Sequence, residues 1–201
     1  MAGIENPLLL DLPVPIRTKR LTLRPPQPGD GAAMFDAVSE SLAELQPYLR
    51  WATPAPTLGQ REEYARQFAA NFILRENLAF TIWQNSRFIG ICELHHFNWK
   101  IPSAYTGYWL RTSESGKGYM TEGVNALSLY GFRELGLRRL VIRCDDDNTK
   151  SAGVPERLGF ALESTSQNDA LKPNSSDLRT TRTYVRFNAD GLSDEDISWG
   201  A

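Results

Sequence analysis

The stretch Tyr105–Glu122, YTGYWLRTSESGKGYMTE, holds the spacing in this chain that points most directly to chemistry. A short strand pattern, Tyr105 to Leu110, runs into a turn rich in Ser and Gly, Ser113 to Gly118. A helical pattern then opens at Tyr119. Gly116 and Gly118 lack Cβ and reach backbone angles closed to other residues, so a bulky anion can approach the main chain there. The first turn of a helix leaves N–H groups without partners, and its dipole adds partial positive charge. With the full charge of Lys117, these features make a phosphate cradle. An ordinary strand-to-helix turn that happens to contain two glycines fits the same letters.

The rest of the chain bounds what such a cradle serves. Its 201 residues suit one domain with a real core, and the 22 basic and 24 acidic residues give a net charge of -2. That balance carries no nucleic-acid footprint. No apolar run approaches the ~20 residues of a membrane span, and the acidic, briefly apolar start is unlike a secretion signal. Cys92 and Cys144 sit in apolar strand-like runs, where buried thiols are commonest. Two cysteines and two histidines give no metal-ligand spacing, and a reduced cytoplasm fits best.

The elements that must position the cradle follow from periodicity. Thr18 to Arg24 alternates as a half-buried strand, and Asp30 is placed to cap a helix with Met34, Phe35 and Val38 on one side. A second helical pattern covers Leu42 to Leu49, and a third, through Tyr64, Phe68 and Phe72, covers Gln60 to Leu74. Leu78 to Trp83, Arg87 to Phe97 and the strand at Tyr105 form an antiparallel meander. Met120, Gly123, Val124, Leu127 and Gly131 share one helix face, whose glycines imply close approach to a sheet. Gly136 suits the end of that helix. Arg139 to Cys144 is a strand, Asn148 to Leu158 a short helical or turn segment, Phe160 to Glu163 a strand, Gln167 to Asp177 a loop, and Arg179 to Phe187 a last strand. The acidic tail from Asn188 reads as loose, with Ile197 and Trp199 available to dock.

This order, with TKRLTLR, GYWL, GKGYMTE, DxDN, NTKS and ERLGF in these places, resembles the GNAT acetyltransferase superfamily. Within it the chain is most similar to the ribosomal-protein (serine or alanine) N-terminal acetyltransferases. The resemblance runs from about residue 18 to 187 and implies an α+β fold: a mixed, mostly antiparallel central sheet with splayed middle strands, flanked by helices. It also implies acetyl-CoA as cofactor. The family's Q/R-x-x-G-x-G/A turn for the coenzyme A pyrophosphate falls on Ser113, Glu114, Ser115, Gly116, Lys117 and Gly118, with Ser113 replacing the usual Gln or Arg. The pantetheine arm would pair with main-chain groups of Tyr108, Trp109 and Leu110 like an added strand. Asn148 falls where an asparagine holds that arm, and Ser151 where a serine hydrogen-bonds or protonates the departing sulfur.

On the acceptor side, Glu93 and His95 lie two apart on one strand face and are the candidate general bases. A solvated polar strand end is the alternative. His96 points to the opposite face and reads as structural, and Asp169 is a third candidate base. Tyr105 stands where the family often has Glu, and Trp51 where this branch places an aromatic residue in the acceptor wall. Tyr119 and Tyr130 read as packing. An α-amine is neutral for roughly a tenth of the time at pH 7 and a lysine about once in 2500, so a weak base suits a protein or peptide N-terminus best. A small amine as acceptor (polyamine, amino acid, antibiotic), or a non-catalytic acyl-CoA-binding module, are the other readings. A homodimer is suggested by family analogy alone.

Overall fold

A computed structural model describes residues 4–200. Nine strands form one sheet, with α1 (Gly31–Leu45) and α2 (Leu58–Leu74) on one face and α3 (Tyr119–Arg133) and α4 (Thr149–Arg157) on the other. The strands are β1 (Ile16–Arg17), β2 (Thr22–Arg24), β3 (Leu78–Gln84), β4 (Arg87–Asn98), β5 (Ser103–Leu110), β6 (Arg139–Asp145), β7 (Ala161–Leu171), β8 (Leu178–Arg186) and β9 (Ser198–Trp199). Their spatial order is β7-β8-β6-β5-β4-β3-β2-β1-β9, antiparallel everywhere except between β5 and β6. This is the α+β architecture expected from the sequence.

Two cores hold it together. Phe80, Ile82, Leu94, Leu127, Leu140 and Ile142 are sealed between sheet and α3. Met34, Ala37, Ala65, Phe88 and Ile91 fill the space under α1 and α2. The glycine face of α3 does lie on the sheet, but the two glycines differ. A Cβ on Gly131 would stand 3.2 Å from Leu137 Cδ1, whereas one on Gly123 would meet Ile82 Cδ1 at an ordinary 3.5 Å. Only Gly131 marks a tight approach.

Four expectations need correction. Thr18 to Arg24 is not one strand: the Leu21 N–H donates to Thr18 Oγ1 (3.0 Å) and the Thr18 N–H to the Leu21 carbonyl (2.9 Å), folding a turn between β1 and β2. The two helical patterns expected over residues 31 to 49 merge into one helix, α1, because nothing between them breaks it, and that helix stops at Leu45. Asp30 precedes α1 but caps nothing with its side chain, which is held instead by Arg24 at 2.7 and 2.8 Å. The loop expected over residues 167 to 177 is shorter: β7 continues to Leu171, and only residues 172–177 form the turn. Here β7 pairs with β8 as a hairpin, and β7 itself is exposed on both faces, so no apolar alternation betrays its far end. The tail docks: β9 adds to β1, and Trp199 meets Tyr130 edge-on at 5.8 Å.

Candidate active site

The parallel ladder between β5 and β6 stops early. Ser103, Ala104 and Tyr105 pair with Arg139, Leu140 and Val141, and from Thr106 onward the two strands diverge. β5 stays paired with β4 out to Leu110, and β6 with β8 out to Asp145, so each strand turns an unpaired edge to the gap. Main-chain groups of Tyr108 to Leu110 on that side are therefore open to an extended guest.

At the mouth of the gap lies the glycine turn, Gly116 with φ +78° and Gly118 with φ +82°. The first helical bond of α3 runs from the Glu122 N–H to the Gly118 carbonyl (3.0 Å). Among the described residues, the N–H groups of Gly116 to Met120 have no protein acceptor, and a Cβ on Gly116 would meet nothing within 4 Å. Open amides, space and a helix dipole fit a diphosphate. The cradle is narrower than the sequence suggests. Ser113, Glu114 and Ser115 fold into a 3-10 turn that uses their amides: Ser113 N–H goes to Glu40 (3.0 Å), Glu114 N–H to Arg111 and Ser115 N–H to Thr112. Lys117 does not bring a free charge, because its Nζ sits 2.8 Å from the buried Glu114 carboxylate. Arg87 holds the other Glu114 oxygen at 2.6 Å and reaches Ser113 Oγ at 3.2 Å.

The turn is anchored from beneath by Glu40, which also accepts from Arg111 Nε (2.5 Å). Partial burial pushes the Glu40 carboxyl up, but hydrogen bonds from Ser113 and Arg111 win and hold it at about 2. A carboxyl depressed on folding stabilises the fold above its ordinary range near 4.5 and loses that contribution as pH falls toward 2. Melting temperatures followed between pH 4.5 and 2 should accordingly fall more steeply for the parent protein than for Glu40→Gln. Equal slopes would remove Glu40 from the anchor.

Across the gap, Asn148 caps α4 with its carboxamide oxygen on the Ser151 N–H (3.0 Å). Its Nδ2 has no protein partner among the described residues and can donate into the gap. Ser151 Oγ donates to the Tyr108 hydroxyl (3.3 Å), which in turn donates to the Ser151 carbonyl (2.9 Å). The tyrosine thus ties β5 to α4 at the point where the strands part. Only the backbone of Tyr108 was expected to matter. No spacing in the sequence signals its ring, because the contact joins residues brought together by the splay.

The other face of β5 is the groove floor. Gly107 lies opposite Glu93, and Tyr105 opposite His95. A Cβ on Gly107 would stand 3.1 Å from Glu93 Oε1 and 3.2 Å from His95 Nε2, so both side chains close directly over the bare Gly107 backbone. Burial raises the Glu93 carboxyl, against a hydrogen bond from Asn77 Nδ2 (2.9 Å) and the charge of His96. Burial, then His96, pushes the His95 imidazole down to about 4. His96 is not on the opposite face. A bulge after His95, with His96 at φ +51°, swings the ring back until the two Nδ1 atoms lie 2.5 Å apart. Asp169 is occupied elsewhere, accepting from Arg143 and Thr181 (both 2.7 Å). Trp51 packs 5.8 Å from the Trp109 ring, and the β7–β8 hairpin reaches its neighbour Arg50 through the Leu171 carbonyl (3.3 Å). Gly107→Val would push Glu93 and His95 out of place and should raise the acceptor KM about tenfold while leaving the acetyl-CoA KM unchanged. A steady-state run with each reactant varied in turn separates the two.

The sequence matches the acetyltransferase (GNAT) domain family over residues 20–161. The chain belongs to the GNAT acetyltransferase family. It is an acetyl-CoA-dependent N-acetyltransferase. Among this GNAT protein's relatives is the ribosomal-protein-serine acetyltransferase of Escherichia coli (strain K12), 30% identical over 134 residues that cover 65% of this chain and 73% of the relative. Two solved structures share the fold. One is RimL, a ribosomal L7/L12 α-N-protein acetyltransferase in complex with coenzyme A: TM-score 0.80, 24% identity, covering 86% of this chain and 96% of that one. The other is the microcin C7 self-immunity acetyltransferase MccE with acetyl-CoA and AMP: TM-score 0.78, 21% identity, 84% and 93%. Among the described residues no helix is long and apolar enough to cross a membrane.

Proposed function

We propose that this GNAT enzyme acetylates the α-amine of a protein or peptide N-terminus, as a single domain working in the cytoplasm. The weak basicity of His95 carries that reading. His95, held at about 4, is neutral at pH 7 and is a weak base suited to a proton that leaves readily, while burial raises the Glu93 carboxyl and makes it a better proton acceptor than a free carboxylate. An amine of pKa ~7.7–8.0 needs no stronger help, whereas a lysine at ~10.4 does. The relative named a ribosomal-protein-serine acetyltransferase supports the same acceptor.

When bound, acetyl-CoA supplies an already activated thioester. The chain's part is position and charge. Amides of Gly116 to Gly118 and the first turn of α3 hold the diphosphate; the edge of Tyr108 to Leu110 and Asn148 Nδ2 align the arm. Ser151 Oγ, whose proton rests on the Tyr108 hydroxyl in the free enzyme, would turn that proton toward the departing sulfur. Glu93 and His95 take the amine proton, directly or through water, while Trp51 and Tyr105 line the acceptor's path.

The test is acetyl-CoA consumption with peptides of free and blocked N-termini beside polyamines, amino acids and aminoglycosides. Turnover of free-N-terminus peptides is expected. Turnover confined to small amines, or cofactor binding without turnover on any amine, would overturn the proposal.

A further inference from the structure

Arg61, on α2, is 9% exposed, and no carboxylate among the described residues lies within ion-pairing distance of it. Its Nε is cut off from solvent without a hydrogen-bond partner. The guanidinium is bracketed by two rings, Trp51 at 5.0 Å and Tyr64 at 5.1 Å. Cation–π contact offsets part of its lost hydration, but neither ring can accept the forked hydrogen bonds a guanidinium offers. An unpaired buried charge is costly, and burial accordingly lowers the affinity of Arg61 for its own proton. Every other strongly buried arginine bonds to the protein: Arg111 to Asp36 and Glu40, Arg186 to main-chain carbonyls.

The place is as telling as the missing partner. Trp51 is in contact with Trp109, and Trp109 follows Gly107 by two residues on the same face of β5. Tyr64, on the other side of the guanidinium, packs against the cluster of Met34, Ala65, Phe88 and Ile91, as Trp109 does, so both rings bracketing Arg61 adjoin the Trp109 side of β5. Acidic side chains of α1 do not fill the gap: Asp36 and Glu40 are engaged with Arg111.

We propose that Arg61 is the specificity residue of the acceptor groove, a receptor for a carboxylate that the acceptor carries close to its amine. The inference rests on the acetyl-acceptor groove proposed above. A planar guanidinium between aromatic walls accepts a carboxylate in a bidentate fork and discriminates against an amide of the same shape. The carboxylate could belong to an Asp or Glu within the first few residues of a peptide, or to the α-carboxyl of a free amino acid.

The experiment compares kcat/KM for peptides that differ only by Asp against Asn, or Glu against Gln, at the second and third positions. A parallel arm uses free amino acids against their amides. The parent enzyme should prefer the acid by about tenfold or more, and Arg61→Gln should bring that ratio close to one, with Arg61→Lys between them. A preference among peptides alone assigns the carboxylate to a side chain; one among free amino acids assigns it to the α-carboxyl. Turnover of small amines only would sink the N-terminal reading yet still decide the role of Arg61 through the acid-to-amide ratio. Equal rates for acid and amide in the parent enzyme, or a ratio untouched in Arg61→Gln, would overturn the inference. A second arm needs no acceptor: thermal melting of Arg61→Met. An arginine waiting for an external anion leaves the variant at least as stable as its parent, whereas a melting temperature several degrees lower would mark Arg61 as structural and reject the proposal.

Discussion

Replacing Gly118 by aspartate is expected to raise the acetyl-CoA dissociation constant about a hundredfold, measured by calorimetric titration. Three effects act in one direction. Gly118 is at φ +82°, where a side chain is strained, and the new Cβ would stand 3.4 Å from Arg20 Nη2. Its carboxylate would then occupy the seat where open amides and the start of α3 await a diphosphate, setting like charge against like. Arg20 cannot easily compensate, since it is engaged with Glu122 at 2.5 Å and donates to the Lys117 carbonyl at 3.0 Å. Far-ultraviolet circular dichroism should stay close to that of the parent, because Gly118 precedes the helix rather than lying in it. Affinity unchanged within a factor of two would move the phosphate seat elsewhere.

Ser151→Ala should behave in the opposite sense: kcat falls by about tenfold to a hundredfold while acetyl-CoA affinity barely changes. The cap on α4 survives this change, because Asn148 accepts from the Ser151 main-chain N–H, not from its hydroxyl. What disappears is the hydroxyl proposed to donate to the departing sulfur. Tyr108→Phe separates positioning from chemistry. It keeps the serine and removes both the acceptor for its Oγ and the bond to its carbonyl, so an intermediate loss of kcat is expected. A Ser151→Ala enzyme with full kcat would leave thiolate release to solvent.

Much of this was legible in the chain because periodicity and glycine placement are local signals. The meander, the turn at Gly116 and Gly118 and the capped helix after Asn148 are all readable from neighbours within a few residues. What escaped notice depends on distant partners. The Tyr108–Ser151 contact spans 43 residues and exists only because β6 and α4 return beside β5. The inward turn of Glu114 depends on Arg87, 27 residues earlier. His96 was misplaced because strict alternation assumes a regular strand, and one left-handed residue cancels it. The far part of β7, residues 164–171, was missed for a different reason: a strand without a buried face carries no alternation to read.

Three residue pairs are all that stitch β5 to β6. The sheet is therefore two leaves on a narrow hinge, six strands to one side and three to the other, and breathing about that seam is its softest motion. A reactant lying along the seam closes it as a zipper closes a garment. Because ligation favours whichever state it binds, heat tolerance should track donor supply: a well-fed cell would hold a stiffer enzyme than a starved one, with no change in its sequence.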